Sequence, residues 1–453
     1  MIGGTAARIP QMQKPSAPGS DQRVVIVGLG YVGLPLALSF HDVGLKVSGI
    51  DAFAGRVAEL NAGSSPIDDI SDARLKKALA AGFTVVAPGG PEIGEADAVF
   101  VCVPTPVTAS KDPDLGPVLS AAGTVAKALK KGQLIILQST TFPGTTTGPF
   151  REALEKSGLT AGVDFDLAFA PERVNPGDPE SAARTTPRLV GATTESGTAR
   201  AAALLGRIND HVVSLPSPDH AELAKLLENT FRNVNIALVN QLALLCERMG
   251  LDVWQVIDAA ATKPFGYMKF TPGPGVGGHC IPVDPYYLSW RARQFDFVDR
   301  FVELAADINL AMPRHVLELC GRLLNEAKRS VNGSKIVVVG VSFKPDVRDA
   351  RNSPAADVVH LLRGEGAEVR FVDPHVMKFT DAKGVVVERI DTLTAAIGWA
   401  DLAVVVTPHK ALELGELFAS KRLVVDTVNA SARFPHDRSL VLRLGDGSAR
   451  PRS

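Results

Sequence analysis

The chain has 453 residues, which is too long for a single hydrophobic core and predicts about two or three domains. Its 48 Lys and Arg against 49 Asp and Glu leave a net charge of −1, which argues against a generally basic nucleic-acid binder, and no window approaches the roughly 20 apolar residues of a membrane span. Gly is abundant, with 41 residues, and aromatic residues make up only 6%, which favours an α/β enzyme over a β-sandwich.

The N-terminal segment, residues 1–22, is rich in Gly, Pro, Ser and Gln and lacks the apolar region of a secretion signal. We therefore expect a disordered arm and a cytoplasmic protein. The four cysteines form no CxxC pair, so neither a zinc site nor a redox pair is predicted, and reduced thiols are expected.

Strand and helix patterns alternate in the first part of the chain. A continuous apolar run at 23–27 leads into the sequence GLGYVG and then into a helical pattern, and a second strand at 46–50 ends at Asp51. Further strands are predicted at 83–87, 98–103 and 134–138. This alternation predicts a doubly wound, mostly parallel α/β sheet.

The GLGYVG sequence stands between a strand and a helix, as a dinucleotide fingerprint requires. Gly28 would make the turn, Gly30 would let the backbone approach a pyrophosphate, and Gly33 would allow close packing of the helix. Asp51 would bind a ribose 2′-hydroxyl and repel a 2′-phosphate, which predicts NAD rather than NADP as cofactor. Arg56 either contacts the adenosine or is a solvated helix charge.

A long helical pattern begins at Asp219 and runs for about eight turns to a predicted C-cap at Gly250. Lys225 and Asn229 share one face of this helix, and Asn233 extends that face. Because the helix is apolar around much of its circumference, its polar groups need partners. We interpret this row as facing a ligand. A second helical stretch is predicted at 286–329.

A loop rich in Gly and Pro, residues 269–285, follows that long helix and contains Cys280. Such a loop allows close approach of the backbone to a substrate, and Cys280 is predicted to be a thiolate nucleophile. His279 could activate the thiol or merely fill the loop. The other three cysteines lie in apolar strand or helix patterns and are predicted to be inert core residues: Cys102, Cys246 and Cys320.

Two polar segments follow apolar strands in the first half of the chain. Glu172 and Thr140 both lie where a strand ends, and loops at the carboxyl ends of such strands face the ligand crevice of an open α/β sheet. Glu172 is therefore a candidate site residue, although a solvated loop carboxylate fits the pattern equally well.

The strand–helix pattern restarts at residues 335–340 and repeats the order of the first half, which indicates a degenerate duplication of the fold. The second copy lacks GxGxxG, so the two halves should bind different ligands. The predicted organisation is an N-terminal arm at 1–22, an NAD-binding Rossmann domain at 23–216, a central helical domain at 217–330, a second Rossmann-like domain at 331–440 and a flexible tail at 441–453.

Seven motifs in order strongly resemble the UDP-glucose/GDP-mannose dehydrogenase family over nearly the whole chain: GLGYVGLP, VCVPTP, QSTTFPGT, PERVNPGD, ELAKLLENTFRNVNIALVNQL, GPGVGGHCIPVDPYYL and GVSFKPDVRDARNSP. Three of them look most like the branch that acts on UDP-N-acetylhexosamines, and within it the UDP-N-acetylglucosamine 6-dehydrogenases. The resemblance implies oxidation of the C6 alcohol of a UDP-sugar to a carboxylate with two NAD⁺. It also implies that the domain at 331–440 is the UDP-sugar-binding domain.

The same resemblance assigns catalytic roles. Cys280 would trap the aldehyde as a thiohemiacetal, which a second oxidation turns into a thioester that water hydrolyses. The expected supporting groups are Lys225 and Asn229 for oxyanion charge, Asp284 and Thr140 for water and proton transfer, and Glu172 for thioester formation and hydrolysis.

Further binding residues follow from the matched motifs. The predicted cofactor contacts are Gly28, Gly30, Tyr31, Val32, Gly33, Asp51, Arg56, Pro104, Thr105, Ser139, Thr140 and Arg351. The predicted substrate contacts are Glu172, Arg173, Val174, Lys225, Asn229, Asn233, Gly275, Gly277, Phe343 and Lys344. The family's helical middle also implies a homodimer or a higher homo-oligomer.

One position departs from the family pattern, and the sequence leaves two alternative functions open. Val428 stands where members of the family often carry Arg, a change that Arg433 could compensate. A dehydrogenase of the 6-phosphogluconate type would share the Rossmann domain and the Lys-x-x-x-Asn helix but would not need Cys280. A sensor of nucleotide sugar or NAD would keep the fold without turnover.

Overall fold

The computed structural model describes residues 21–67, 70–108, 110–173 and 184–447. Residues 1–20 of the predicted arm and 448–453 of the predicted tail lie outside this range. The chain divides into two compact units, each with its own sheet: Met1–Pro106 with Asp114–Lys225, and Val107–Pro113 with Leu226–Ser453.

The first unit contains an eight-stranded sheet in the order β3-β2-β1-β4-β5-β6-β7-β8. All neighbouring strands are parallel except β6 and β7. The strands are β1 (Arg23–Val27), β2 (Lys46–Ile50), β3 (Thr84–Val86), β4 (Ala98–Val101), β5 (Leu134–Leu137), β6 (Asp166–Phe169), β7 (Arg188–Ala192) and β8 (Val212–Leu215). Its described helices are α1 (Gly33–Asp42), α2 (Ala54–Asn61), α3 (Asp72–Ala80), α4 (Glu92–Glu95), α5 (Gly116–Ala126), α6 (Arg151–Glu155), with a π-helical turn before it (Thr146–Phe150), and α7 (Glu195–Leu205).

The central strands are apolar along their length because helices cover both faces of the sheet. Ile26 of β1 packs into one hydrophobic cluster and Val25 packs into the other, on the opposite face. Parallel pairing places the carboxyl ends of β1, β2, β4 and β5 at one edge. The predicted α/β fold class is confirmed, and the strands predicted at 23–27 and 46–50 have the predicted bounds.

The second unit contains a seven-stranded sheet in the order β11-β12-β10-β9-β13-β14-β15. Its five strands from β12 to β14 repeat the order β3-β2-β1-β4-β5 of the first sheet, which confirms the predicted duplication. The strands are β9 (Lys335–Val339), β10 (Glu368–Val372), β11 (Phe379–Thr380), β12 (Val386–Arg389), β13 (Leu402–Val405), β14 (Leu423–Asp426) and β15 (Val441–Arg443).

Helices precede and cover this second sheet. The longest, α8 (Pro218–Met249), has 32 residues, and the division between the two units falls within it. One hydrophobic core contains residues of α8, of other helices of the unit and of the second sheet, such as Ala243, Val316 and Ile336. The remaining described helices are α9 (Val253–Ala261), α10 (Asp284–Arg293), α11 (Arg300–Glu326), α12 (Pro354–Gly364), α13 (Leu393–Trp399) and α14 (Leu414–Ala419), with a 3₁₀ turn at Ala430–Arg433.

Two sequence predictions about this unit are wrong. The helical stretch predicted at 286–329 is broken between α10 and α11, because Asp296 takes a left-handed conformation (φ +55°) and Asp299 caps α11 by accepting from Val302 N–H. The tail predicted at 441–453 begins with β15, whose Leu442 is buried and which pairs with β14. None of the helices in the described part of the chain is both long and apolar enough to cross a membrane.

Candidate active site

In the first unit, the turn after β1 has the geometry that the fingerprint predicts. Gly28 has φ +94°, and a Cβ atom there would lie 2.6 Å from the carbonyl oxygen of Cys102. A Cβ on Gly33 would lie 1.8 Å from the carbonyl oxygen of Gly28, whereas one on Gly30 would meet no protein atom within 4 Å. The first and third glycines are therefore required by protein contacts, and the second leaves its backbone open to a ligand.

Asp51 connects the end of β2 to this turn. Its carboxylate accepts hydrogen bonds from Leu29 N–H (2.9 Å) and Phe53 N–H (2.9 Å). A carboxylate has about four acceptor positions, so acceptor capacity remains for a ribose hydroxyl. Arg56 lies 3.6 Å from Glu59, an i,i+3 pair on α2, which is compatible with both of its predicted roles.

The other predicted cofactor residues lie near the same sheet edge or next to the turn. Tyr31 is exposed, and Val32 precedes α1 and accepts a hydrogen bond from Leu36 N–H. Pro104 and Thr105 follow β4, and Ser139 and Thr140 follow β5. The Ser139 hydroxyl is buried and donates to the Val103 carbonyl oxygen (2.7 Å), so it also joins the ends of the two strands. Since these segments meet at the carboxyl edge, they fit a dinucleotide.

Glu172 follows β6 and is held by a network that the sequence did not reveal. Its Oε2 atom accepts from Gln138 Nε2 (3.1 Å) and lies 3.1 Å from Nη2 of Arg188, while Oε1 accepts from Arg173 N–H. The Arg188 side chain is 8% exposed and that of Glu172 19%. Glu172 is thus an ion-paired, largely buried group rather than a solvated carboxylate. Arg173 also donates from its side chain to the Pro187 carbonyl oxygen, and Val174 lies outside the described residues.

Glu222 is a second group that sequence reasoning missed. It is fully buried on α8 and accepts from Gly144 N–H (2.7 Å), Thr146 N–H (2.9 Å) and the Thr146 hydroxyl (2.6 Å). Burial raises the pKa of Glu222 from 4.5 to about 7, although these hydrogen bonds oppose the rise. Glu222 therefore attaches the segment after Thr140 to the helix that carries Lys225.

Lys225 lies one turn after Glu222 and is 9% exposed. No carboxylate forms an ion pair with Lys225 among the residues that the structure describes. A buried ammonium group without a counter-charge interacts strongly with any negative charge that develops near it.

In the second unit, Asn229 and Asp284 form a buried pair next to Cys280. Asn229 Nδ2 donates to Asp284 Oδ2 (2.5 Å), and Asp284 N–H donates to the Cys280 carbonyl oxygen (2.8 Å). Both side chains are about 95% buried or more. The structure thus brings together three of the predicted catalytic residues.

The loop that carries Cys280 packs against the segment after β9. Cβ atoms on Gly275 and Gly277 would lie 3.3 Å and 2.9 Å from Pro354, and one on Gly277 would also lie 2.9 Å from Phe343 Cβ. Asn352 Nδ2 donates to the Gly278 carbonyl oxygen (3.1 Å). Two predicted substrate glycines and Phe343 are therefore neighbours, and Lys344 follows Phe343, half-buried.

His279 and Arg351 share one carboxylate. Arg351 forms a bidentate pair with Asp349 (3.0 and 2.8 Å), and Nε2 of His279 lies 3.4 Å from the same group. Burial, with the nearby Arg351 charge, lowers the pKa of His279. His279 is therefore oriented toward Asp349 and the Phe343 ring, whose centroid is 6.0 Å from its own.

Asn233 has a different environment from the one that its sequence pattern predicted. It is buried, donates to the Ile281 carbonyl oxygen (2.8 Å) and accepts from Asn309 Nδ2 (3.1 Å). Its amide is thus engaged by protein groups at the end of the Cys280 loop. Asn309 was missed, although a polar residue between apolar ones on α11 is a signal that could have found it.

The four cysteines divide as expected. Cys280 is exposed, whereas Cys102, Cys246 and Cys320 are buried. Burial raises the pKa of each of the three buried thiols, which keeps them protonated.

The turn after β9 in the second sheet repeats a hydrogen bond of the turn after β1, but its aspartate is already occupied by another side chain. Val341 N–H donates to Asp373 (2.7 Å), as Leu29 N–H does to Asp51. Asp373, however, is fully buried against His409 Nε2 (3.0 Å). Although burial opposes it, this hydrogen bond lowers the pKa of Asp373 to about 2. The carboxylate that could bind a ribose in the first copy is occupied by a side chain in the second.

Val428, an apolar residue, brings no positive charge to the region of the sequence departure. Asp426 accepts from Val428 N–H (3.1 Å), and Arg433 lies beside the Phe434 ring at 5.9 Å. Arg443 of β15 donates to Asn429 Oδ1 (2.7 Å) and also pairs with an aspartate, Asp252.

Comparison with known proteins is consistent with this geometry. Three models of the UDP-glucose/GDP-mannose dehydrogenase family match the chain: the NAD binding domain over residues 22–209, the central domain over 219–311 and the UDP binding domain over 337–433.

Similar proteins match over most of their length. The chain is 36% identical to a UDP-N-acetyl-D-glucosamine 6-dehydrogenase of Pseudomonas aeruginosa over 79% of this chain and 83% of that protein. It is 37% identical to a UDP-N-acetyl-D-mannosamine dehydrogenase of Pyrococcus horikoshii over 83% and 88%. A solved structure of the UDP-D-ManNAc dehydrogenase from Pyrococcus horikoshii matches with a TM-score of 0.84 and 32% identity over 94% of this chain and 100% of that one. With the glycine turn, Asp51 and these matches together, the chain is an NAD-dependent oxidoreductase that belongs to the UDP-glucose/GDP-mannose dehydrogenase family.

Proposed function

We propose that this enzyme oxidises the C6 hydroxyl of UDP-N-acetyl-D-glucosamine to the carboxylate in two steps, without releasing the aldehyde. The observation that carries the proposal is Cys280, an exposed thiol on a loop beside the buried Asn229–Asp284 pair. An oxidation that removes four electrons needs a covalent attachment for the aldehyde, and a thiolate supplies one.

Cys280 acts as the nucleophile in this mechanism. It adds to the aldehyde carbon to form a thiohemiacetal, and oxidation of that adduct gives a thioester. Asp284 is the proton-transfer group. Its hydrogen bonds to Asn229 and to the backbone of Cys280 keep it in a fixed position relative to the nucleophile.

Lys225 and Asn229 stabilise the negative charge that develops on the substrate oxygen. Lys225 is a buried cation, and Asn229 stands one helical turn further along α8. Groups fixed before the reaction cost no reorganisation when the charge develops.

Glu172 assists hydrolysis of the thioester by accepting a proton from the attacking water. Its ion pair with Arg188 keeps the carboxylate in one orientation, and Gln138 fixes the same oxygen. Thr140, at the end of the neighbouring strand, helps to hold that water.

The cofactor would supply a hydride acceptor for each oxidation, and two NAD⁺ molecules bound in succession would take one hydride each. The residues that would hold the cofactor are the glycine turn after β1, Asp51 for the ribose hydroxyls, and the segments around Thr105 and Ser139. The cytoplasmic location and the cofactor contact of Arg351 remain predictions from the sequence.

A second substrate candidate is UDP-N-acetyl-D-mannosamine. It is supported by the relative named for that substrate, whose identity of 37% is as high as the 36% of the relative named for the glucosamine sugar. The two sugars differ only in the configuration at C2, which pocket shape discriminates. The Cys280 loop and the second Rossmann-like half go unexplained by the 6-phosphogluconate alternative, and family membership argues against it.

A substrate panel with a count of NADH tests the proposal. UDP-N-acetyl-D-glucosamine should give two NADH per sugar consumed. Cys280→Ala should abolish turnover, while Thr271→Ala, at an exposed position of the same loop, keeps it. One NADH per sugar, or an active Cys280→Ala, would overturn the mechanism. Faster oxidation of UDP-N-acetyl-D-mannosamine would replace the substrate, and NAD binding without any turnover would indicate a sensor.

We also propose that the enzyme is a homodimer. Five exposed apolar side chains form one stripe along α8, at spacings of four and seven residues: Leu227, Phe231, Leu238, Leu245 and Met249. A second copy would bury such a stripe. Light scattering should give twice the mass of one chain for the wild type and a smaller mass for Leu238→Glu, and a monomeric wild type would refute the proposal.

A further inference from the structure

Three buried asparagines form a continuous hydrogen-bonded chain between α8 and α11. Asn240 Nδ2 donates to Asn309 Oδ1 (2.9 Å), and Asn309 Nδ2 donates to Asn233 Oδ1 (3.1 Å). All three side chains are at least 94% buried. Buried amides of this kind are rigid when every group is bonded, and costly when one is not.

This amide chain ends at two points of the Cys280 loop, one on each side of Cys280. Gly273 N–H donates to Asn240 Oδ1 (2.9 Å), and Asn233 Nδ2 donates to the Ile281 carbonyl oxygen (2.8 Å). Gly275, between these ends, packs on the Asn309 backbone, since a Cβ on it would lie 3.3 Å from the Asn309 carbonyl oxygen. The amide chain thus anchors the loop at two points, seven residues before Cys280 and one residue after it.

The direction of every amide in this chain is determined. Gly273 N–H can only donate, so Asn240 must present its oxygen to it and its nitrogen to Asn309. Asn309 must then present its nitrogen to Asn233. The Ile281 carbonyl can only accept, so Asn233 must present its nitrogen there. One reversed amide would place two acceptors or two donors face to face.

We propose that Asn309 is a positioning residue for Cys280: from the centre of this amide chain it holds the loop at Gly273 and at Ile281, on either side of the nucleophile. The proposal rests on the proposed role of Cys280. The Asn309 side chain is hydrogen-bonded to Asn240 and Asn233, which in turn bond Gly273 and Ile281, so its effect passes through these two amides.

The first test compares Asn309→Leu with Asn325→Leu, the same substitution at an exposed position of α11. Loss of the central amide should speed hydrogen exchange of peptides covering residues 273–281 and lower kcat by about 100-fold, the typical cost of displacing a reacting group by about 1 Å. NAD affinity should stay within about twofold, because the NAD turn belongs to the first unit. A kcat equal to that of Asn325→Leu, with unchanged exchange, would overturn the proposal.

A second variant keeps the test decisive where Asn309→Leu folds poorly. In Asn309→Asp, an ionised carboxylate offers two acceptors and breaks the chain, whereas a protonated carboxyl offers one donor and one acceptor and restores it. Its activity relative to wild type at the same pH should therefore rise from alkaline to mildly acidic pH. Division by the wild-type rate removes the pH dependence of every group that the two proteins share.

A flat ratio across that pH range would reject the positioning role. Failure of the proposed function is distinguishable from this result: it would appear as an active Cys280→Ala. The exchange of residues 273–281 in Asn309→Leu needs no turnover, so it reports on the amide chain in either case.

Discussion

Substitution of Gly33 by Ala tests the cofactor turn most directly. The new Cβ would lie 1.8 Å from the Gly28 carbonyl oxygen and 3.2 Å from the side chain of Cys102, whereas ordinary contacts begin at 3.4 Å. Neither neighbour is the flexible end of a side chain, so α1 and the turn must separate by more than about 1 Å. Since about 1 Å of displacement at a binding centre costs on the order of 100-fold, we expect the Kd for NAD to rise by about that factor, or about 3 kcal/mol.

The assay is titration of NAD against the whole enzyme, with Gly123→Ala as the matched control. Gly123 is also a helical glycine, but a Cβ on it would meet no atom within 4 Å. That control should bind NAD normally and gain about 0.5–1 kcal/mol of stability, whereas Gly33→Ala should lose about 1–3 kcal/mol from overpacking. Normal NAD affinity in Gly33→Ala would refute the argument that close helix packing requires this glycine.

Three further predictions concern buried charges. Arg188→Met should lower the free energy of unfolding by about 3 kcal/mol and slow hydrolysis of the acyl intermediate, because it leaves Glu172 without its cation. Glu222, with its pKa near 7 rather than 4.5, binds more protons in the folded state, so stability should fall by about 3 kcal/mol as pH rises from 4.5 to 7, and Glu222→Gln should remove this fall. Asp373, with its pKa near 2 rather than 3.8, should add about 2 kcal/mol that is present above pH 3.8 and lost as pH falls toward 2, and His409→Phe should reduce this contribution.

Each of these predictions has a clear contrary result. Denaturant unfolding should show a loss for Arg188→Met well above that for Arg184→Met, since the ion pair of Arg184 with Asp210 is exposed. Equal losses would contradict the importance of the buried pair. Parallel curves of stability against pH for wild type and Glu222→Gln, or for wild type and His409→Phe, would contradict the assigned pKa directions.

Local sequence patterns predicted most of the strands and helices because these elements depend on interactions between residues close together in the chain. The run at 23–27 is a buried strand, and the glycines after it are required by contacts within the same turn. The patterns failed where a short signal was ambiguous. Residues 294–299 include apolar Phe295, Phe297 and Val298, so the helix break was hidden, and the three-residue strand Val441–Arg443 is too short to show a period.

The sequence indicated candidate reacting groups, whose catalytic roles stay predictions, and it missed the residues that hold them in place. Cys280 stood out because a loop rich in Gly and Pro cannot form a buried helix or a central strand, which separates its thiol from the three core cysteines. Arg188 and Glu222 carry no local signal, and Asn309 carries only that of a polar residue between apolar ones, because the role of each depends on a partner 16 to 76 residues away. The apolar pattern of α8 correctly predicted that the Asn233 amide has hydrogen-bond partners. It could not show that these partners are protein groups rather than a ligand.

The sequence by itself determined the α/β class, the duplicated Rossmann-like halves, the NAD turn and the family, since these follow from the order of short motifs and from backbone conformations that only certain residues adopt. Tertiary structure alone decided which polar groups are buried and what they bind. It turned Glu172 into an ion-paired carboxylate, closed the second copy's Asp373 with His409, and engaged Asn233 in a chain that holds the Cys280 loop. The physical reason is that a hydrogen bond or an ion pair depends on distance in space, and residues far apart in the chain are brought within that distance only by packing of the core.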